Sequence, residues 1–221
     1  MDQHGMLGNI VLHSLEVTRV ALFLCEELNK RGQRIDPDQV EAASLLHDLA
    51  KTECLWTKGD HAQQGHDLLK KMGYDRIGQV VAQHIKIWKE GKPSCVSEEE
   101  VVNYADKRVC HDRIVSLKTR FQDLKARYGK GRPSLGQLKK LEEATLEIER
   151  KIFSIIQMDP NALEHLQCHP VSEAPRPQGG ASGKCKDHYK VGCPPRPCLQ
   201  QGGGASSRLA RGQRLNRKGQ K

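Results

Sequence analysis

The chain has 221 residues, enough for one substantial core with extra or for two small domains, and it carries a formal net charge of +9. The excess is local: residues 168–221 hold 11 Lys plus Arg against 2 Asp plus Glu, which leaves 25 of each sign in residues 1–167 and confines any nucleic-acid reading of the charge to the tail. No run approaches the roughly 20 apolar residues that cross a bilayer, and the N-terminus lacks the basic start and clean apolar stretch of a signal peptide, so a cytoplasmic protein without a membrane partner is expected.

Residues 1–167 read as one helix after another. Asn9 to Arg31 carries Ile10, Val17, Val20, Leu24 and Leu28 near helical spacing, with Gly32 as a stop. Asp36-Pro37 is an N-cap followed by a first-turn proline and opens a helix to about Lys51. Asp60 caps a helix that ends at Gly73, and Asp75 begins another, to about Trp88. Ser97 and Glu100 form the reciprocal pair of a capping box and start a long helix expected to reach Tyr128-Gly129. Ile114, Leu117, Phe121, Leu124 and Tyr128 continue its apolar stripe. After a Gly131-Arg132-Pro133 turn, Leu138, Leu141, Thr145, Ile148, Ile152 and Ile155 form a second stripe. Two stripes joined by a short turn predict an antiparallel helical hairpin, read as a packing or homodimerisation arm. A last short helix is expected from Asp159-Pro160 to about Gln167.

Cys25, Cys54, Cys95 and Cys110 lie scattered in this helical sequence and read as reduced thiols rather than a disulfide framework. From Cys168 the composition changes: 9 of 54 residues are Gly and 6 are Pro, too little apolar surface to offset ordering entropy, so a disordered basic tail is expected. Its Cys and His residues lack the paired short spacing of a zinc site. Its Arg and Lys residues suit non-specific contact with nucleic acid or another acidic surface.

The ionisable residues inside the apolar stripes are the main functional signal. His13 follows Ile10 by three and precedes Val17 by four. His47 has Ala43 before it and Ala50 after. His84 follows Val80 and Val81, and Asp106 lies between Val102 and Val109. Residues three or four apart share a helical face, so these groups point inward. His61 stands at the start of its helix, and Asp48 adjoins His47. A buried unpaired carboxylate is costly and normally has a partner or a metal. Four imidazoles and two carboxylates converging on one place suit a pair of divalent first-row ions such as Fe, Mn, Co, Ni or Zn. Asp48, about 100° around the helix from His47, could bridge two ions.

His13, then the His47-Asp48 doublet in ASLLHDLAK, then Asp106 in YADKR, resemble in order the pattern of the HD-domain metal-dependent phosphohydrolases. His61 in HAQQG and His84 in VAQHIKIW match the two further histidines of their dinuclear subgroup. The resemblance covers about residues 6–128 and includes ADKRVCHDRIVSLKTRF. It implies an all-α HD-domain helical bundle over 6–128; the hairpin extension over 129–167, packing back on the end of the long helix, and the tail are expected from the periodicity and composition above. It also implies one metal held by His13, His47, Asp48 and Asp106, and a second by Asp48, His61 and His84.

Two metals roughly 3.5–4 Å apart supply hydroxide at neutral pH and stabilise phosphoryl charge. The reaction that the resemblance implies is hydrolysis of a phosphoester or phosphoanhydride by a metal-bridging hydroxide, with nucleotides or dinucleotides as its favoured substrate class. Lys51, one turn after Asp48, is placed either on a substrate phosphate as a point charge or on the solvated surface. Lys107 and Arg108 flank Asp106, and Arg108 is the second candidate for substrate binding. His66 reads as a core residue or a support behind the ligands, with a sixth inward histidine as the alternative, His111 as a packing or surface residue, and Trp56 and Trp88 as packing or base-stacking residues. Two other readings fit the same ligands: a diiron oxygenase on the HD fold, and a non-catalytic metal-binding module that acts through its hairpin and tail.

Overall fold

Helix caps written in the sequence fix most element boundaries. A computed structural model of the protein describes residues 5–87 and 94–166; the tail and Trp88 lie outside the described residues. The helices are α1 (Gly8–Lys30), α2 (Pro37–Leu46), α3 (Lys51–Thr57), α4 (His61–Lys71), α5 (Asp75–Ala82), α6 (Glu98–Arg108), α7 (Leu117–Tyr128) and α8 (Arg132–Ile156), followed by a 3₁₀ helix at Pro160–His165. Strands β1 (Val109–Cys110) and β2 (Arg113–Ile114) form a small antiparallel pair between α6 and α7, in the register Val109 to Ile114 and Cys110 to Arg113. The architecture is all-α, as the periodicity predicts.

The Asp36 carboxylate accepts from the Asp38 and Gln39 amides, and Asp60 accepts from Ala62 and Gln63, satisfying amides that have no partner within the helix. The Ser97–Glu100 capping box forms in both directions, and Glu100 also receives the Lys151 ammonium at 2.7 Å. Gly73, at φ +86°, supplies the left-handed residue that ends α4. Helix α1 is the central rod: Val17, Val20, Leu24 and Leu28 are fully buried, packed chiefly against α2 and α6. By length and composition alone α1 is long and apolar enough to cross a bilayer, contrary to the sequence expectation, and half of that apolar window is buried in the bundle.

The continuous helix expected from Ser97 to Tyr128 is broken. Helix α6 stops at Arg108, Val109 is extended, and a two-residue turn with His111 at φ +58° reverses the chain. The Val115 amide then donates to the Arg108 carbonyl at 2.8 Å, and Ser116 caps the new helix α7 by accepting from the Thr119 amide. The apolar spacing runs through the break because Ile114, Leu117, Phe121 and Leu124 all still face inward. Periodicity alone does not register a two-strand interruption.

Helices α7 and α8 fold back on each other across residues 129–131, with Lys125 paired to Glu142 at 2.6 Å. The apolar stripe of α8 packs within the molecule: Thr145, Ile148, Ile152, Phe153 and Ile156 are buried. The Tyr104 hydroxyl donates to Glu149 at 2.6 Å and ties α8 to α6.

Candidate metal centre

Six side chains from distant segments meet at one end of the bundle. His13 comes from the second turn of α1, His47 and Asp48 from the end of α2, His61 from the start of α4, His84 from just beyond α5 and Asp106 from the last turn of α6. All are buried except His61, which is partly open. The ligand atoms of His13, His47 and Asp48 lie within 4.8 Å of one another, as do those of Asp48, His61 and His84. Asp48 is common to both groups: Oδ1 is 3.2 Å from His61 Nε2 and 3.6 Å from His84 Nε2, while Oδ2 is 3.4 Å from His47 Nε2. Asp106 Oδ1 lies 3.0 Å from His13 Nε2 and 3.7 Å from His47 Nε2.

The backbone sets how these imidazoles can act. His13 Nδ1 lies 2.8 Å from the His111 carbonyl oxygen, His47 Nδ1 2.7 Å from that of Ser44, and His84 Nδ1 2.7 Å from that of Val81. A carbonyl only accepts, so each Nδ1 carries the donated hydrogen and each neutral ring presents a bare Nε2 to the cluster. This is the usual support behind a metal-ligating histidine. It leaves His13 Nε2 facing a carboxylate oxygen and His84 Nε2 facing His61 Nε2 at 3.3 Å. His47 Nε2 and Asp48 Oδ1 are buried without any hydrogen-bond partner. Lone pairs directed at one another in a desolvated space require a cation between them, and imidazole with carboxylate is the donor set for a divalent first-row ion. The residues therefore fit a metal.

Electrostatics point the same way. Burial raises the Asp48 carboxyl, but His47, His61 and His84 outweigh it and hold Asp48 well below the usual carboxylate range. Burial likewise opposes ionisation of Asp106, and Lys107, His13, His47 and Arg120 bring it well below. Burial pulls the His47 imidazole down while Asp48 and Asp106 raise it above its ordinary value. His84 is pushed by burial down to about 4 and stays neutral.

The second carboxylate oxygens are held by lysines. Lys51 Nζ is 2.6 Å from Asp48 Oδ2. Lys107, noted in the sequence only as a flanking charge, is buried and donates to Asp106 Oδ2 and to the His84 carbonyl, each at 2.8 Å. Both line a cleft of about 430 Å³ together with His13, Asp48, His61, His84 and Asp106, while His47 lies buried beneath it.

Arg108 requires correction as a substrate-binding candidate. Two residues from Asp106 is about 200° around a helix, so its side chain leaves on the opposite face. There it donates to the Val115 carbonyl, the Tyr104 hydroxyl and the Pro160 carbonyl, and it faces Glu149 at 3.5 Å. It is a structural cation that joins α6, α8 and the 3₁₀ helix, and it is absent from the cleft lining. The packing reading of Trp56 also fails, since this ring is 86% exposed. His66 pairs with the neighbouring Asp67 at 2.9 Å, away from the cleft. His111 contributes through its main chain rather than its ring. The sequence reading missed Arg120, which is buried, faces Asp106 Oδ1 at 3.9 Å and lines the cleft. Cys110, His111 and Asp123 also converge, but Asp123 is taken by Arg120 and Arg127.

Residues 10–109 match the family model of the HD domain. The matched stretch runs from the first turn of α1 into β1 and contains all six candidate ligands. Among curated proteins, the chain is similar to ribonuclease Y of Mesoplasma florum, 31% identical over 86 residues, which are 38% of this chain and 16% of that protein. Ribonuclease Y of Desulfotalea psychrophila is 36% identical over 77 residues, 34% of this chain and 14% of that one. The tRNA (cytidine(56)-2'-O)-methyltransferase of Picrophilus torridus is 31% identical over 123 residues, 49% of this chain and 34% of that one. The chain thus spans about a third or less of the length of each of these relatives. No solved structure matches significantly.

Proposed function

We propose that the protein is a metal-dependent phosphohydrolase of the HD type that cleaves a phosphoester or phosphoanhydride bond in a nucleotide or dinucleotide. One observation carries the reading: two groups of ligand atoms share Asp48, and the bare Nε2 atoms and the unpartnered Asp48 Oδ1 converge between them. His13, His47, Asp48 and Asp106 would hold one divalent ion, and Asp48, His61 and His84 a second. When bound, such a pair lowers the pKa of a shared water and offsets charge on phosphoryl oxygens.

The chain's own residues do the rest. Backbone carbonyls at Ser44, Val81 and His111 keep the imidazoles in one tautomer. Lys107 fixes the Asp106 carboxylate and the His84 main chain together. Lys51, about one-third exposed at the side chain, stands where a substrate phosphate would enter, and offers it a point charge. The ribonuclease names among the relatives support phosphodiester substrates of nucleotide chemistry, so short RNA belongs in the same test.

That test is metal analysis of the purified chain followed by phosphate release from nucleotides, dinucleoside polyphosphates and short RNA with Mn²⁺, Fe²⁺ and Co²⁺ in turn. Turnover under anaerobic conditions is expected. Strict dependence on O₂ would favour the diiron oxygenase instead. Bound metal with no turnover of any of these would favour a non-catalytic module.

A further inference from the structure

We propose that Arg120 is the clamp that holds the phosphoryl oxygens of the substrate in the cleft, a role that rests on the phosphohydrolase reading above. Arg120 lies in the first turn of α7 with its side chain only 10% exposed. Its Nε is buried with no hydrogen-bond partner. Nη1 makes one long contact of 3.4 Å to Asp123 Oδ2, an oxygen that Arg127 also takes. Nη2 is 3.9 Å from Asp106 Oδ1, beyond hydrogen-bonding distance.

A guanidinium has five donors in a planar fork, and a desolvated one with donors unused is costly. Arg108 also has a buried nitrogen without a hydrogen bond, Nη2, but that atom faces Glu164 at 3.9 Å on the far side of α6, away from the cleft. Arg108 is bonded to three oxygens and Lys107 to two. Among the described residues, Arg120 is the cation on the cleft wall with a buried nitrogen that has no hydrogen-bond partner at all.

The ligand that satisfies it is a tetrahedral oxyanion, because two oxygens of a phosphoryl group match the planar fork as a single chloride or water cannot. Lys51 leans on one ligand carboxylate and Arg120 faces the other, so a phosphoryl group between them would meet both cations. Four and eight residues beyond Arg120, Leu124 and Tyr128 continue the same cleft wall, together with Leu138 and Leu141 from α8. The anionic end of a substrate is therefore fixed at Arg120, and an apolar wall follows for the leaving group, as a nucleoside requires.

The test uses orthophosphate as probe on the full chain loaded with Mn²⁺, read by calorimetry beside metal content and helical circular dichroism. R120Q should keep its metal and its helicity and bind orthophosphate roughly 10- to 100-fold more weakly, the loss expected for charged hydrogen bonds. R120K should recover part of that affinity, since lysine restores charge without the fork. Unchanged phosphate affinity in R120Q overturns the clamp. So does loss of metal from a folded R120Q, which would make Arg120 a support for Asp106, and so does a wild-type chain that binds no phosphate. If R120Q does not fold, R120K decides, and wild-type affinity there overturns the clamp. Should wild type bind orthophosphate through Arg120 yet hydrolyse no nucleotide, the clamp stands and the hydrolytic reading falls. Hydrolysis with an indifferent R120Q gives the reverse.

Discussion

The back of α6 and its front show what burial means for a charged residue. On the back, Arg108 is 1% exposed, meets three oxygens and closes the joint between α6, α8 and the 3₁₀ helix. On the front, Asp106 faces imidazoles whose lone pairs have no hydrogen to accept, and Arg120 stands by with a donor unused. Both faces are dry and both hold ions. The back is nearly complete in itself, whereas the front is complete only with something added. A buried ion tied to several protein oxygens speaks of architecture, and one left almost without bonds beside a cleft speaks of a ligand.

Substitutions can break or sharpen this contrast. The largest effect is expected from D48A, which removes the carboxylate shared by both ligand groups. Loss of mere supporting partners costs about 10- to 100-fold in metal affinity or activity, so loss of this ligand should exceed about a hundredfold and strip the bound metal. Full metal content in D48A by atomic absorption would show that the two groups are not one centre. Next, R108M should destabilise the fold by about 3 kcal/mol, as expected when one partner of a buried ionic network is removed, while the folded fraction keeps wild-type metal content. Denaturant titration reads the first quantity, and loss of metal from folded R108M would place Arg108 with the front after all. K51A should keep the metal and raise KM by roughly tenfold, equivalent to one charged hydrogen bond. An unchanged KM would return Lys51 to the solvated surface.

The smallest effect concerns protons. His47 is raised above its ordinary value by Asp48 and Asp106, and a ligand imidazole must be neutral, so metal uptake near pH 7 should displace about one proton. His84, already down near 4, contributes none there. The yield should fall as pH rises past the His47 value. Calorimetric heats of metal binding in two buffers of different ionisation enthalpy measure this, and identical heats would mean that His47 is already neutral.

Much of this was legible in the sequence because it is local. Asp36, Asp60 and Ser97 announce their helices through side chains that reach only two or three residues. The inward placing of His13, His47 and Asp106 follows from neighbours three and four away. The unread parts depend on tertiary context. His84 lies past the end of α5 rather than on it, yet its main chain still turns it inward. The break after Arg108 rests on a turn of two residues with His111 in a left-handed conformation, and a His-Asp pair announces such a turn less strongly than Asn-Gly or Asp-Gly does. Missing that break hid Arg120, whose direction is set by where α7 begins. Arg108 was within reach of simple geometry, since its 200° offset from Asp106 already sends it away from the ligands.

The contact between His13 and position 111 has an evolutionary corollary. The imidazole of a proposed metal ligand is steered by a peptide oxygen on a reversal of the chain, so the feature that matters there is a bend and not a letter. Asparagine or glycine would adopt that bend as readily as histidine, whereas valine or isoleucine would resist it. A search keyed to side-chain identity would pass over the place, although one of the six ligands depends on it.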